Sequence, residues 1–132
     1  MSLSNLANIG QIKAEPFSQA EFDTLVNSGK ARLEDAKIKA LSPESCFDLA
    51  YNAAHALALA ALRRKGYRPN HRYIVFQVLC HTVNFDAYQC RLLSECHNRR
   101  NLAEYEGWFN IDDQLLNELI AITQILLDRV GN

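Results

Sequence analysis

Seven alanines lie within residues 50–61, and this density of small side chains limits the folds that are open to the chain. Alanine has the highest helix propensity, and an alanine-rich helix lets a neighbouring helix approach closely. Ser42 and Pro43 precede the stretch as an N-cap and a first helical residue, and Gly66 follows it as a typical helix stop. These features predict a long helix over about residues 43–65.

Capping patterns predict further helices on either side of this one. Ser18 and Glu21 form a capping box that opens an earlier helix. Gly29 interrupts that helix, and we expect a weak point there. Asp86 and Gln89 form the same kind of cap before a central helix that contains residues 91–107.

The remaining segments carry weaker signals. Residues 66–72 are predicted to be a loop, because Pro69 disfavours helix at the residue before it. Residues 71–83 have the β-branched and aromatic character of a buried strand or a buried helix. We favour a helix, since a lone strand in a helical chain would leave its backbone groups unpaired. A last helix is expected to be capped by Asn110 or Asp112.

These elements predict an all-α fold, an antiparallel bundle of four to five helices with short connections. Residues 1–17 are predicted to form an N-terminal arm that includes a short helix, and residues 18–132 a single helical domain. A chain of 132 residues, 48% of them hydrophobic, can bury a core without disulfides or structural metals.

Charge and cysteine content narrow the classes of function. A net charge of −1 does not fit a general nucleic-acid coat protein, so nucleic-acid binding would have to use a local patch. The four cysteines match no zinc ribbon or redox pair, and we expect reduced cysteines in the core. The pairs Cys80-His81 and Cys96-His97 are adjacent residues that diverge around a helix. No metal site and no cofactor are therefore predicted.

No segment is typical of a signal peptide or a membrane span. The N-terminus lacks a basic region followed by a long apolar run, and no apolar run approaches the ~20 residues that cross a bilayer. We expect a cytoplasmic protein that does not contact a membrane.

The central helix carries an arginine within its apolar face. At about 100° per residue, Arg100 falls among Leu93, Cys96 and other apolar side chains. A guanidinium is costly to bury alone, so Arg100 needs a carboxylate, a hydrogen-bonding neighbour or an anionic ligand. Glu104, one turn on, is the nearest carboxylate, and an ion pair with it and a ligand-binding role are compatible.

Other polar residues lie beside Arg100. His97 and Asn101 flank the same edge of the helix. Arg99 is predicted to pair with Glu95 on the surface, although its charge would also widen an anion site.

Two segments together resemble a known family. AYNAAHALALAALRRKGYRPNHR, followed about two dozen residues later by CHNRRNLAEYEG, is similar to the HEPN (higher eukaryotes and prokaryotes nucleotide-binding) domains, in particular small stand-alone bacterial members. The resemblance covers roughly residues 20–130. The matching positions are Ala50, Tyr51, Ala53, Ala54, Gly66, His71, Arg100, Asn101, Glu104 and Tyr105.

The resemblance implies an antiparallel helical bundle, commonly a homodimer. Many such proteins are RNases, or partners of a minimal nucleotidyltransferase in a toxin–antitoxin pair. In ribonucleolytic members a histidine five positions after the arginine is the acid/base, and here that position holds Tyr105. A tyrosine hydroxyl is a poor base at neutral pH, although it can donate to phosphate. The candidate catalytic residues are Arg100, Glu104, Tyr105 and, as a substitute acid/base, His97.

The candidate binding residues each have a structural alternative. His55 is either a core histidine hydrogen-bonded to the central helix or a substrate contact. Tyr51 is either anchored in a polar network of the core or a substrate contact. His71 and Arg72 lie at a predicted helix start, where backbone amides can receive a phosphate, or form a plain loop and cap.

Three functional hypotheses remain. The first is a HEPN-like dimeric component of a toxin–antitoxin or related defence module, which binds RNA or nucleotide phosphate at a groove around Arg100. The second is a catalytically inactive adaptor for a protein such as a minimal nucleotidyltransferase. The third is a small enzyme that acts on a phosphorylated metabolite, with Arg100 holding the anion and His97 or His55 as acid/base.

Overall fold

The computed structural model describes residues 2–106 and 111–131, without the side chains of residues 104–106. This part of the chain forms seven helices and one small sheet of two strands. The elements in chain order are α1 (Leu3–Asn8), β1 (Ile12–Ala14), α2 (Gln19–Ala36), α3 (Pro43–Arg64), β2 (Tyr67–Pro69), α4 (Ile74–Gln77), α5 (Leu79–Thr82), α6 (Ala87–Glu106) and α7 (Asp113–Val130). The mainly helical structure agrees with the predicted all-α class.

Helix α3 is the centre of the packing. It contacts α2 and α7 most extensively and also touches α4, α5 and α6. Most of its alanines have no exposed surface, as do Phe47, Leu57 and Leu62. The predicted alanine-rich helix is confirmed, and its small side chains lie where other helices pack closely.

The helix ends follow the predicted caps. The hydroxyls of Ser18 and Ser42 accept hydrogen bonds from backbone amides in the first turns of α2 and α3. Asp86 accepts from the amide of Gln89, whose side chain accepts from the amide of Asp86, a complete capping box. Asp112 caps α7.

Gly29 does not weaken α2, and that expectation was wrong. The helix runs unbroken from Gln19 to Ala36, and Gly29 is buried against α3. A Cβ atom at this position would lie 2.7 Å from Cγ of Leu57 and 3.3 Å from the carbonyl oxygen of Ala53. The missing side chain lets the two helices approach each other.

The predicted loop over residues 66–72 contains a strand. Residues 67–69 pair antiparallel with residues 12–14, and Ile12 faces Pro69. Ile12 is buried in the hydrophobic core, which packs the N-terminal segment onto the helices. The strand at residues 67–69 is hard to predict from sequence, because its partner strand lies more than 50 residues away in the chain.

Residues 71–83 are helical, as predicted, but not as one helix. Two helices of four residues each, α4 and α5, are separated at Val78, whose ψ of 4° departs from α-helical geometry. Val75, Phe76 and Leu79 are fully buried, so this segment contributes to the core.

A buried arginine joins the N-terminal segment to α3. Arg63 is 2% exposed and donates from Nε to Glu21 at 2.6 Å and from Nη2 to the carbonyl of Pro16 at 2.6 Å. Its Nη1 donates to the carbonyls of Glu15 and Tyr67. Hydrogen bonds from Arg68 and then Arg63 hold the pKa of Glu21 below its ordinary value. The bonds of Arg63 connect residues 15–21 with β2.

The cysteines are not all core residues. Cys46 and Cys96 are buried, and burial raises the pKa of Cys96 to about 12. Cys80 is exposed and Cys90 is half-buried, so the expectation that the cysteines lie in the core is wrong for Cys80. All four are free thiols.

Residues 2–106 and 111–131 also bear on a membrane span and a metal site. Among them, no helix has the length and apolar character needed to cross a membrane. The same residues contain no group of three or more potential ligands suited to a metal ion.

Candidate functional site

A buried hydrogen-bonded chain joins α3 to α6. The Tyr51 hydroxyl, in a residue 1% exposed, lies 2.7 Å from Nδ1 of His97, and Nδ2 of Asn101 lies 3.0 Å from Nε2 of the same ring. In the neutral ring one nitrogen donates and the other accepts, and each has a hydrogen-bonding neighbour here. The Tyr73 ring also packs on His97, at 4.7 Å between ring centroids. The imidazole is therefore held from both nitrogens and one face.

Two arginines lie over the Tyr51 ring. The guanidinium carbon of Arg100 is 5.0 Å from the ring centroid, and that of Arg72 is 5.9 Å away. Both distances are within the range of cation–π attraction. Residues from α6 and from the turn before α4 thus bring two positive charges to one aromatic side chain of α3.

Asp48 is a partner of Arg100 that the sequence argument missed. Arg100 Nε donates to Oδ1 of Asp48 at 3.1 Å, and the Asp48 side chain is 54% exposed. Asp48 lies one helical turn before Tyr51 on α3, which is the only signal that the sequence offers for it. The expected pair with Glu104 concerns a side chain outside the described part of the structure, as does the role of Tyr105.

His55 lies beside this cluster, one turn after Tyr51. It is not hydrogen-bonded to the central helix, contrary to the structural alternative given for it. Its ring packs edge-to-face against the Phe76 ring, with 5.9 Å between the centroids. Its buried Nε2 has no hydrogen-bond partner in the described structure. Burial, and then the charge of Arg72, lower the pKa of His55 to about 4.

A groove between α2 and α3 extends the cluster. This cavity, of about 350 Å³, is lined by Arg32 of α2, by Asn52 and His55 of α3, and by Arg72. Arg72 also donates to the Asn52 side chain at 3.4 Å. Arg32 and Asn52 are further residues that the sequence argument did not select, because their proximity depends on how α2 packs on α3.

Two of the predicted binding residues lie apart from the Tyr51 ring contacts. His71 is exposed and its Nε2 lies 2.9 Å from the Gln11 side chain in the N-terminal segment. Arg99 forms the predicted exposed pair with Glu95 at 3.0 Å. The expected phosphate site at a helix start loses its basis, since α4 has only four residues.

Comparison with known proteins identified no relative: no family model, no curated protein and no solved structure matches the chain. The geometry of the site is therefore the basis for a functional proposal.

The described side chains are arranged for binding an anion more than for acid/base catalysis. Arg72 and Arg100 place positive charge at the mouth of the site, and an arginine guanidinium matches phosphate geometry. Both nitrogens of His97 are engaged within the protein, and His55 stays neutral at physiological pH because of its lowered pKa. Neither imidazole is placed to exchange protons with a substrate.

Proposed function

We propose that this chain is a HEPN-like helical protein that binds phosphate groups of RNA or nucleotides between Arg72 and Arg100. The observation that carries the proposal is the convergence of these two guanidiniums over the Tyr51 ring, 5.9 and 5.0 Å from its centroid. An anion that contacts both guanidiniums meets two positive charges beside one aromatic ring, and it shares Arg100 with the exposed carboxylate of Asp48. The proposed role is binding without cleavage, because His97 is fully engaged.

The arrangement of the two motif segments supports the HEPN-like assignment. Tyr51 belongs to the alanine-rich segment, and Arg100 and Asn101 belong to the second segment. In the fold, Arg100 lies over the ring of Tyr51, and His97 links the Tyr51 hydroxyl to Asn101. Tyr51, Arg100 and Asn101, three of the positions that carry the resemblance, thus belong to one connected cluster.

The proposed RNA site is a small basic patch in a chain whose net charge is close to zero. The overall charge of −1 gives little long-range attraction for RNA, so affinity must come from a few contacts. Arg32 adds a third positive charge along the groove that ends at Arg72. A short single-stranded segment or a nucleotide fits this limited charge better than a long duplex.

Assembly belongs to the same proposal. The resemblance to HEPN domains implies a homodimer, and Leu102, 53% exposed on α6 next to Asn101, is an apolar side chain that such a contact would cover. We propose a homodimer that covers this part of α6, acting in a toxin–antitoxin or related module. A minimal nucleotidyltransferase is the proposed protein partner.

Fluorescence anisotropy with a labelled single-stranded oligoribonucleotide tests the binding site. We expect Arg100→Gln and Arg72→Gln each to weaken binding about tenfold, the usual effect of losing one charged hydrogen bond. Arg91→Gln is the matched control, since Arg91 is exposed on the same helix as Arg100 and its substitution changes the net charge equally. Equal affinity for all four proteins, with helicity retained in circular dichroism, would contradict the proposal.

A further inference from the structure

A second cavity lies at the opposite end of α3 from Ser42, where α3, α5 and α7 finish. Its volume is about 490 Å³, and it is lined by Arg64, Thr82, Val83, Asn84 and Arg129. None of these residues contributes to the Tyr51 cluster. A cavity of this volume is in the range of small-ligand sites in proteins.

Two arginines border this cavity without a carboxylate partner. Arg64 donates from Nη1 to the Val130 carbonyl at 3.0 Å, and its guanidinium lies 5.5 Å from the Phe22 centroid. Arg129 donates from Nη1 to the Val83 carbonyl at 2.9 Å. Among the described residues, no ion pair involves either arginine.

Contacts with backbone carbonyls and aromatic rings fix the positions of both guanidiniums. Arg129 also donates to the Asn84 carbonyl at 3.3 Å and lies 5.1 Å from the Phe85 centroid. Arg64 is thus held by one carbonyl and a ring, and Arg129 by two carbonyls and a ring. A guanidinium has five N–H donors, and these contacts use only part of them. The remaining donors of Arg64 and Arg129, both lining residues of the cavity, have no hydrogen-bond partner among the described residues.

A buried hydroxyl also lacks a partner here. Thr82 is 7% exposed, and its Oγ1 forms no hydrogen bond within the described structure. Buried hydroxyls in native proteins are nearly always paired with protein, water or a ligand. Asn84, two residues after Thr82, has a φ of 60°, a left-handed conformation that asparagine adopts more readily than most residues, and the chain turns there.

We propose that this cavity binds a phosphate group. In the proposed complex, Arg64 and Arg129 donate to the phosphate oxygens and Thr82 donates from its hydroxyl. The two positive charges match a phosphate dianion, and the lining contains no carboxylate that would repel it. The phosphate is supplied either as the free ion or as the monoester of a small metabolite, and the site is independent of RNA binding at Arg100.

Thermal unfolding of the intact chain tests this site, with inorganic phosphate and ribose 5-phosphate as separate probes at constant ionic strength. We expect at least one probe to raise the Tm of the wild type and of Arg91→Gln. We expect Arg129→Gln and Thr82→Val to bind that probe about tenfold more weakly. The probe with the larger shift identifies the free ion or the monoester as the ligand.

Thr82→Val separates a binding role from a structural one. Since the hydroxyl has no partner among the described residues, valine should leave the Tm without phosphate unchanged or higher. The proposal is overturned if neither probe stabilises the wild type, or if Arg129→Gln and Thr82→Val retain the full phosphate response. The double variant Arg72→Gln/Arg100→Gln should keep that response, which distinguishes this site from the proposed RNA site.

Discussion

His55 is a histidine held in its neutral form by its surroundings. Burial is the main cause of its lowered pKa of about 4, and the charges of Arg72, His97 and Arg100 act in the same direction. Its unpartnered Nε2 gives a proton no acceptor in the described structure. Protonation of this side chain therefore opposes folding.

This environment predicts that stability falls on acidification. Between pH 6.5 and about 4 the unfolded chain binds a proton at His55 that the folded chain does not, so stability is complete above 6.5 and is lost as pH falls through that window. The loss should be on the order of 3 kcal/mol or less at about pH 4. Urea unfolding measured across this window should show a smaller loss for His55→Gln. An equal loss in both proteins would contradict this role of His55.

The site residues show what sequence reasoning can reach at this scale. The cost of burying a guanidinium predicts that Arg100 has a carboxylate, a hydrogen-bonding neighbour or an anionic ligand. The sequence shows only the candidates on the same helix, such as Glu104. Asp48 lies 52 positions away in the chain, and only the packing of α6 against α3 brings it to Arg100. The Arg99–Glu95 pair was predictable because both residues lie on one helix.

At the scale of the element, α2 and α3 depend on one glycine. The space at Gly29 is filled by Leu57 and by the backbone at Ala53, so an added methyl group requires these helices to separate. Glycine lowers the stability of a helix through its low helix propensity. At Gly29 the close packing of α2 on α3 outweighs this cost.

Gly29→Ala should lower the free energy of unfolding by about 1 to 2 kcal/mol, since overpacking costs more than the gain in helix propensity. Chemical denaturation measures this, with Lys30→Ala at the exposed neighbouring position as a control that stays within about 0.5 kcal/mol. A more stable Gly29→Ala protein would show that the helices do not pack as described.

Helix boundaries were more predictable than the sheet. The caps at Ser18, Ser42 and Asp86 are local patterns of four residues, so the sequence contains the whole signal. Strands β1 and β2 have three residues each, too few to show an alternating pattern, and their pairing joins distant segments. The division of residues 71–83 into two helices likewise has no proline or glycine to mark it.

At the scale of the whole molecule, Arg63 connects the N-terminal segment to the helical core. It is 2% exposed and donates to four acceptors, in residues 15, 16, 21 and 67, so these groups depend on one guanidinium. Lysine cannot reproduce the planar array of donors.

Arg63→Lys should lower the free energy of unfolding by about 3 kcal/mol, because a buried positive charge loses most of its hydrogen bonds to part-buried acceptors. The same substitution at the exposed pair, Arg99→Lys, should change it by less than about 0.5 kcal/mol. Urea denaturation compares the two variants. A small effect at both positions would show that the N-terminal segment is not held by Arg63.

The central claim is that Arg72 and Arg100 contact phosphate, and the salt dependence of RNA binding tests it most directly. Each phosphate contact on a single strand contributes about 0.7 to the slope of log K against log salt concentration. We expect the slope to be smaller by about 0.7 in Arg72→Gln and in Arg100→Gln, and unchanged in Arg91→Gln. Slopes that are the same for the wild type and all three variants would contradict the claim.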